Sequence, residues 1–188
     1  MEDDDDYDDE LVYAARGELE IRERVIILRC LVEAAYDADR RRILAWLEKK
    51  NLLEAVAPTE WAYLRAKKPT EQQIINASWR TEALEALLWV VGELPNMTAS
   101  SDTASLESIA TVMPNFLQDC SEFLEKESMR DEAVIYDECE IIYNQHWAVR
   151  DDGRPGSNGL DPGVVREKHY ALNWVLYSEA WDEVPTDT

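Results

Sequence analysis

Apolar residues recur along much of the chain at alternating steps of three and four, the spacing that lines one face of an α-helix. The first such stripe lies within residues 18–36 and contains Ile21, Val25, Leu28, Val32 and Ala35. A second helix is predicted after Asp39, through Ile43, Leu44 and Leu47. No stretch shows the strict alternation that is typical of a half-buried strand, so we predict no β-sheet.

The most apolar helix is predicted near the middle of the chain. Thr70 and Gln73 are spaced as a capping box, in which two side chains satisfy backbone N–H groups at a helix start. Two neighbouring apolar stripes follow this start. The first is formed by Ile75, Trp79, Ala83, Leu87, Val90 and Leu94. The second is formed by Ile74, Leu84, Leu88 and Val91. Because apolar residues occupy most of the circumference, we expect other helices to cover this helix on most sides.

Further helices complete the predicted fold. A short helix is predicted over residues 59–66, and residues 109–123 predict either two short helices or one helix kinked at Pro114. Another is predicted over residues 131–150, and a last one begins at Asp161, an N-cap that precedes a proline. The sequence therefore predicts an all-α, single-domain helical bundle of about seven to nine helices around a central apolar helix, over residues 11–188.

The chain carries a large acidic excess, with 19 Lys and Arg against 40 Asp and Glu, for a net charge of −21. Residues 1–10 are mostly acidic and are predicted to be a disordered segment, because so dense a charge opposes folding. A negative field repels phosphate backbones and attracts cationic surfaces. We therefore predict a cationic protein partner and no nucleic acid. The residues expected to steer that partner are Asp3, Asp4, Asp5, Asp6, Asp8 and Asp9.

Cysteine usage and hydropathy indicate the compartment. Cys30, Cys120 and Cys139 are an odd number of cysteines, each among apolar neighbours in a helical pattern, which predicts reduced core residues and no disulfide framework. No apolar run approaches the roughly 20 residues of a membrane span. The acidic start is also the opposite of a signal peptide. We therefore expect a cytoplasmic protein that does not bind a membrane.

The two histidines, His146 and His169, lie on successive predicted helices that are joined by a loop. In an antiparallel hairpin they are expected at similar depth, since a helix rises about 1.5 Å per residue. Arg150, Asp151 and Asp161 are close to the same loop. A histidine pair with carboxylates is able to bind a metal or transfer protons, so this is the densest set of potential catalytic groups.

A structural interpretation of the same residues stays open. Both histidines fall on apolar stripes, where a hydrogen-bonded imidazole serves packing, and no HExxH-like spacing accompanies them. We therefore predict no metal, no cofactor and no catalytic residue. Arg80, four residues after Asn76, either grips a carboxylate or forms a structural salt bridge to a neighbouring helix. The candidate pocket or partner-binding residues are His146, Arg150, Asp151, Asp161, His169 and Arg80.

Four strings of the chain are recognisable together: INASWR at 75–80, HWAVRD at 146–151, LDPGVV at 160–165 and HYALNW at 169–174. With them, residues 18–188 resemble a bacterial all-helical family catalogued only as a domain of unknown function. The resemblance implies a helical fold and brings no established activity or catalytic residues. It directs attention to the two segments that flank the loop, with Trp79 and Arg80 packed beside them.

Two hypotheses of function follow. The first is an acidic interaction protein, namely a bacterial immunity protein (antitoxin) that binds and neutralises a cationic toxin domain such as an ADP-ribosyltransferase or a nuclease. Complementary charge favours it because long-range attraction speeds encounter. The second is an enzyme or small-ligand binder with a pocket at the His146/His169 loop. The composition does not exclude this alternative.

Overall fold

The computed structural model describes residues 16–151 and 159–186. Within them the helices are α1 (Glu18–Ala35), α2 (Arg40–Lys49), α3 (Pro58–Arg65), α4 (Glu71–Val90), α5 (Leu106–Ala110), α6 (Ser121–Glu125), α7 (Glu132–Asp151) and α8 (Pro162–Leu176). Two short 3-10 turns, Leu53–Ala55 and Trp181–Glu183, follow α2 and α8. These residues contain no strand and form one domain, which confirms the all-α prediction and its number of helices. The predicted acidic segment, residues 1–10, lies outside the described residues.

The central helix of the fold is α4, which packs against α1 and α8. Its start is the predicted capping box: the Gln73 N–H donates to Thr70 Oγ1 at 3.2 Å, and the Thr70 N–H donates to Gln73 Oε1 at 2.9 Å. All residues from 81 to 91 are buried. The second half of α4 is therefore covered on every side, as its apolar circumference predicts.

The first turns of α4 differ from the prediction. Ile74 and Ile75 are 38% and 41% exposed, and Trp79 is half-buried with its ring close to Gly163 in the first turn of α8. Other helices therefore cover most sides of α4 in its second half, as expected, but not in its first turns. An open cleft, described below, lies beside the same turns and is lined by Gln73, Asn76 and Ala77 of α4.

Helix α4 ends in a Schellman motif at Gly92. The Gly92 N–H donates to the Trp89 carbonyl at 3.1 Å and the Glu93 N–H to the Leu88 carbonyl at 2.9 Å. Gly92 has φ +75°, a backbone conformation that residues with a Cβ rarely adopt. Farther along the chain, α5 and α6 are two short helices on either side of Pro114, which is one of the two arrangements predicted there.

Buried ion pairs join helices that are distant in sequence. The fully buried Arg22 guanidinium donates to Glu18 at 2.8 Å, to Glu93 at 2.9 Å and to the Val91 carbonyl at 3.0 Å. Arg24 donates twice to Glu60 of α3, at 2.7 and 2.9 Å. Periodicity does not predict either pair, because apolar stripes identify the buried face of a helix only where the buried side chains are apolar.

The three cysteines are buried and form no disulfide, as predicted. Burial raises the pKa of the Cys30 and Cys139 thiols to about 12, so both are protonated at neutral pH and are poor nucleophiles. Over the described part of the chain, no helix combines the length and the apolar character needed to cross a membrane.

Candidate functional site

The two histidines meet between α7 and α8, as the hairpin geometry predicts. His146 Nδ1 and His169 Nδ1 are 2.8 Å apart, and the rings are edge to face with centroids at 5.1 Å. The residues are only 7% and 3% exposed. A contact between two ring nitrogens is a hydrogen bond when one carries the proton and the other offers its lone pair. Tyr143 packs edge-on against His169, with ring centroids 5.6 Å apart.

Burial keeps both imidazoles neutral at pH 7. It lowers the pKa of His169 to about 4, helped by the neighbouring His146. Burial also lowers the pKa of His146, and the charges of Arg150 and Arg166 add to this effect. Each Nδ1 is occupied by the other ring, so the pair ties α7 to α8. Among the described residues, no three His, Cys, Asp or Glu side chains are grouped to hold a metal ion.

The other predicted residues near the loop do not all join the histidines. Arg150 is exposed in the last turn of α7, and its charge acts on His146. Asp151 is the last residue of α7, and its side chain lies outside what the structure describes. Asp161 is the N-cap of α8, as predicted, where its carboxylate accepts from the Gly163 N–H at 2.8 Å and the Val164 N–H at 3.2 Å. One oxygen of the carboxylate, Oδ1, accepts both of these hydrogen bonds and so caps the start of α8.

Arg80 belongs to a different site. Its Nη1 donates to Glu167 of α8 at 2.7 Å, which is the structural salt bridge that the sequence left as one alternative. Its guanidinium lies 4.7 Å from the Tyr170 ring centroid and 5.4 Å from that of Trp181. Trp79 and Arg80 thus pack beside the 160–174 segment, as the family resemblance implied.

A buried polar layer that sequence reasoning missed lies under residues 96–104. Lys168 is fully buried, with its Nζ 3.3 Å from Glu85, and it donates to the Thr98 carbonyl. Glu85 in turn accepts from the Thr98 N–H at 3.1 Å and from its hydroxyl at 2.5 Å. One signal existed: Glu82 and Glu85 interrupt the most apolar part of α4, and buried carboxylates require partners.

Glu82 is the group in this layer whose proton affinity changes most clearly. Its carboxylate accepts from the Ala104 N–H at 2.9 and 3.2 Å. Burial raises the pKa of Glu82 to about 7, although that hydrogen bond and the charge of Lys168 oppose the rise. The carboxyl group therefore exchanges a proton near neutral pH while it holds the 96–104 segment on α4.

The outward side of α7 is an apolar surface that the described residues leave uncovered. Helix α7 packs chiefly against α8 through its opposite side. Val134, Ile141 and Trp147 are 46%, 51% and 47% exposed. The exposed acidic residues of this side are Asp137 and Glu140. We call Val134, Asp137, Glu140, Ile141 and Trp147 the α7 outer face.

A groove runs along one edge of this face, between α7 and residues 96–101, with a volume of about 380 Å³. Glu138 and Gln145 line it. The buried Gln145 Oε1 accepts no hydrogen bond within the described part of the chain. Burial raises the pKa of Glu138, which the charge of Lys168 partly offsets. The groove therefore offers acceptor groups next to exposed apolar side chains.

Acid is expected to destabilise the protein through the histidine pair. An unfolded imidazole titrates near 6.5, whereas His169 in the folded chain titrates at about 4. The unfolded state therefore binds more protons over this range. The stabilising contribution is complete above about pH 6.5 and decreases as the pH falls towards 4, by at most about 1.4 kcal/mol per pH unit for each imidazole. Urea unfolding at a series of pH values measures the slope.

The control for this prediction is the double variant His146→Asn, His169→Asn. It is needed because Glu82 acts in the opposite direction: its raised pKa makes the folded state bind a proton between about pH 7 and 4.5. We expect the slope of the wild-type chain to exceed that of the variant. Equal slopes would show that the imidazoles do not contribute.

No curated protein and no solved structure matches the chain. A family model described as a domain of unknown function matches residues 7–184, which include the histidine pair, Arg80 and α7. Because this match covers nearly the whole chain, the protein belongs to DUF4272, a family of domains of unknown function.

Proposed function

We propose that this protein is an acidic binding module of the cytoplasm, and that it captures a cationic protein partner on the α7 outer face. One observation carries the proposal: apolar and acidic side chains alternate on the uncovered side of a helix that packs chiefly against one neighbour. Exposed apolar groups that are grouped together and bordered by charges are typical of protein interaction sites.

The apolar residues of this face are arranged to receive a helix or an extended segment. Val134 and Ile141 are seven residues apart, and Ala148 follows after another seven, so they lie along one line of α7. Trp147 donates from Nε1 to the Tyr143 hydroxyl at 2.8 Å, which holds the indole on the surface. A tryptophan that is already oriented loses less entropy on binding, and tryptophans are frequent hot spots of interfaces.

The charges of this face select a cationic partner. Arg150 is the only Lys or Arg in α7, whereas Asp137 and Glu140 lie among the exposed apolar side chains. These carboxylates attract basic residues and oppose acidic ones, and so they contribute to both the association rate and the specificity. At the edge of the face, the Glu138 carboxylate lines the groove and is an acceptor for a Lys or Arg side chain that enters it.

We propose an immunity protein as the more specific role, in which the partner is a toxin domain with a cationic active site, such as a nuclease or an ADP-ribosyltransferase. The net charge of −21 supports this role, since capture before damage requires fast association. The alternative, an enzyme or small-ligand binder at the His146/His169 loop, stays a prediction.

The test uses a synthetic amphipathic helix of leucines and lysines, and a second peptide in which glutamates replace the lysines. We expect saturable binding of the basic peptide, with an affinity that falls as salt rises. The double variant Ile141→Asp, Trp147→Ala should weaken binding at least tenfold because it removes two anchors of the face. Leu19→Asp is the matched control, since Leu19 is also exposed but lies on α1.

Two results of the peptide experiment would contradict the proposal. One is an equal loss of affinity in Leu19→Asp, which would mean that the loss is not specific to the α7 outer face. The other is equal affinity for the acidic peptide. The immunity role has its own test, in which the chain is co-expressed with a toxin from a neighbouring reading frame. Growth should be rescued by the wild-type chain and by Leu19→Asp, and not by the α7 double variant.

A further inference from the structure

A second cleft lies away from α7, between α3, the first turns of α4, α8 and residues 182–186. Its volume is about 560 Å³, within the range of small-molecule sites. None of the residues that line it belongs to the α7 outer face or to its groove. We infer that this cleft binds a small organic anion, with a carboxylate or phosphate held by Arg80 and Arg166 and an apolar body in the cleft.

The floor of the cleft suits an apolar body. Leu31 and Ala77 are buried there, and Ala62 and Val184 line it beside them. The amide side chains of Gln73 and Asn76 lie along the same side of α4, about two turns and one turn before Arg80, respectively. Apolar surface with a few polar groups at its border is the common composition of ligand pockets.

Arg80 supplies a positioned donor to this cleft. Its stacking on Tyr170 and its bond from Nη1 to Glu167 hold the guanidinium in place. A guanidinium has five N–H groups. Within the described residues only the Nη1 bond to Glu167 engages them, so the remaining donors are available to a ligand.

Arg166 is the second donor. It is exposed on α8 one turn before Tyr170, and it lines the same cleft. In the part of the chain that the structure describes, no hydrogen bond or ion pair involves its guanidinium. Two guanidinium groups with available N–H donors match a carboxylate or a phosphate, since each of these anions has pairs of oxygens that accept bidentate hydrogen bonds.

The two carboxylates that line the cleft are already occupied. Glu60 accepts two hydrogen bonds from Arg24 and one from the Ala57 N–H at 2.8 Å. Asp182 accepts from the Thr59 N–H at 2.8 Å and from the Thr59 hydroxyl at 2.6 Å. Because these acceptors are used internally, the groups left for a ligand are mainly donors. An anion is therefore the complementary ligand, whereas Arg80 and Arg166 would repel a cation.

The experiment titrates the full chain at pH 7.5 with 1-naphthoate and 1-naphthyl phosphate, and with the neutral 1-naphthamide, by isothermal titration calorimetry. We expect saturable binding of at least one anion with a Kd of about 1 mM or tighter, and at least tenfold weaker binding of the amide. The two anions distinguish a carboxylate site from a phosphate site. Arg166→Gln should weaken anion binding at least tenfold, because it removes an exposed donor without emptying the core.

The matched control is Arg42→Gln, which removes an exposed arginine of α2 that does not line the cleft. It should leave the affinity within twofold of the wild-type value. The inference is overturned if no anion binds saturably, if the amide binds as tightly as the anions, or if Arg42→Gln weakens binding as much as Arg166→Gln. Because the α7 outer face is not involved, these results are independent of those with the peptides.

Discussion

Replacing Arg22 with alanine is expected to lower the free energy of unfolding by about 3–5 kcal/mol, the usual effect of removing one partner of a buried ion pair. The Arg22 side chain is fully buried and binds Glu18 and Glu93. After the substitution, Glu93 keeps only Lys126, whose side chain is 50% exposed. The Val91 carbonyl also loses a donor. Urea unfolding, followed by circular dichroism, measures the change.

The control for Arg22 is Arg42→Ala, which removes an exposed arginine and should change the free energy of unfolding by less than about 0.5 kcal/mol. A second variant, Arg22→Met, distinguishes the effect of the lost side-chain volume from the effect of the lost charge on the free energy of unfolding. It fills most of the space but still removes the guanidinium from Glu18 and Glu93, so it should remain strongly destabilised. If Arg22→Ala is as stable as Arg42→Ala, the ion pairs of Arg22 do not stabilise the fold.

Gly92→Ala is expected to be destabilising by about 3 kcal/mol or more, for two separate reasons. The first is backbone strain, since φ is +75° at this position and such strain costs about 1–3 kcal/mol. The second is steric: a Cβ at Gly92 would lie 2.2 Å from the Ser128 carbonyl oxygen. Moving a backbone segment to relieve such a contact costs about 1–3 kcal/mol more. Thermal and urea unfolding measure the total.

Gly159→Ala separates the two contributions. Gly159 has nearly the same φ, +78°, and an added Cβ there would contact none of the described residues within 4 Å. It should therefore show the cost of backbone strain alone. The difference between the two variants measures the contact with Ser128. Equal destabilisation would mean that the Ser128 segment moves at no cost.

Arg22→Ala and Gly92→Ala both act on one junction, where the end of α4 meets the start of α1 and residues 126–130. Ser128 donates from its hydroxyl to the Val91 carbonyl at 2.9 Å and from its N–H to Glu18 at 2.8 Å. Arg130 donates to the carbonyls of Trp89 at 2.7 Å and Leu94 at 2.8 Å. Because α7 begins two residues after Arg130, this junction positions the helix that carries the proposed binding face.

The candidate site was predictable in part. The rise of an α-helix and the position of the loop predicted similar depth for His146 and His169, and the structure places their Nδ1 atoms 2.8 Å apart. The N-cap role of Asp161 followed from the proline after it. Arg166 was missed although it lies near His146 and lines the cleft with Arg80. The available signal was its position three residues before His169, since residues three apart are neighbours on the surface of a helix.

The α7 outer face was not predictable from periodicity. The apolar stripe through Ile135, Cys139, Ile142 and His146 identifies the buried side of α7 correctly. The exposed Ile141 and Trp147 have no pattern that distinguishes them from core residues. Whether a helix side is covered depends on neighbours from elsewhere in the chain, and a single sequence does not contain that information in its local spacing.

The sequence by itself determined the positions of the helices, the capping box of α4, the choice of α4 as the central helix and the buried state of the cysteines. These properties depend on spacings of three and four residues and on local capping, so nearby residues contain the needed information. Tertiary structure alone decided which charges are buried, since Arg22 meets Glu93 across 71 positions and Lys168 meets Thr98 across 70. It also left the first turns of α4 beside an open cleft. Such contacts depend on how helices pack around one another, and a buried charge is stable only where that packing brings its partner within hydrogen-bond distance.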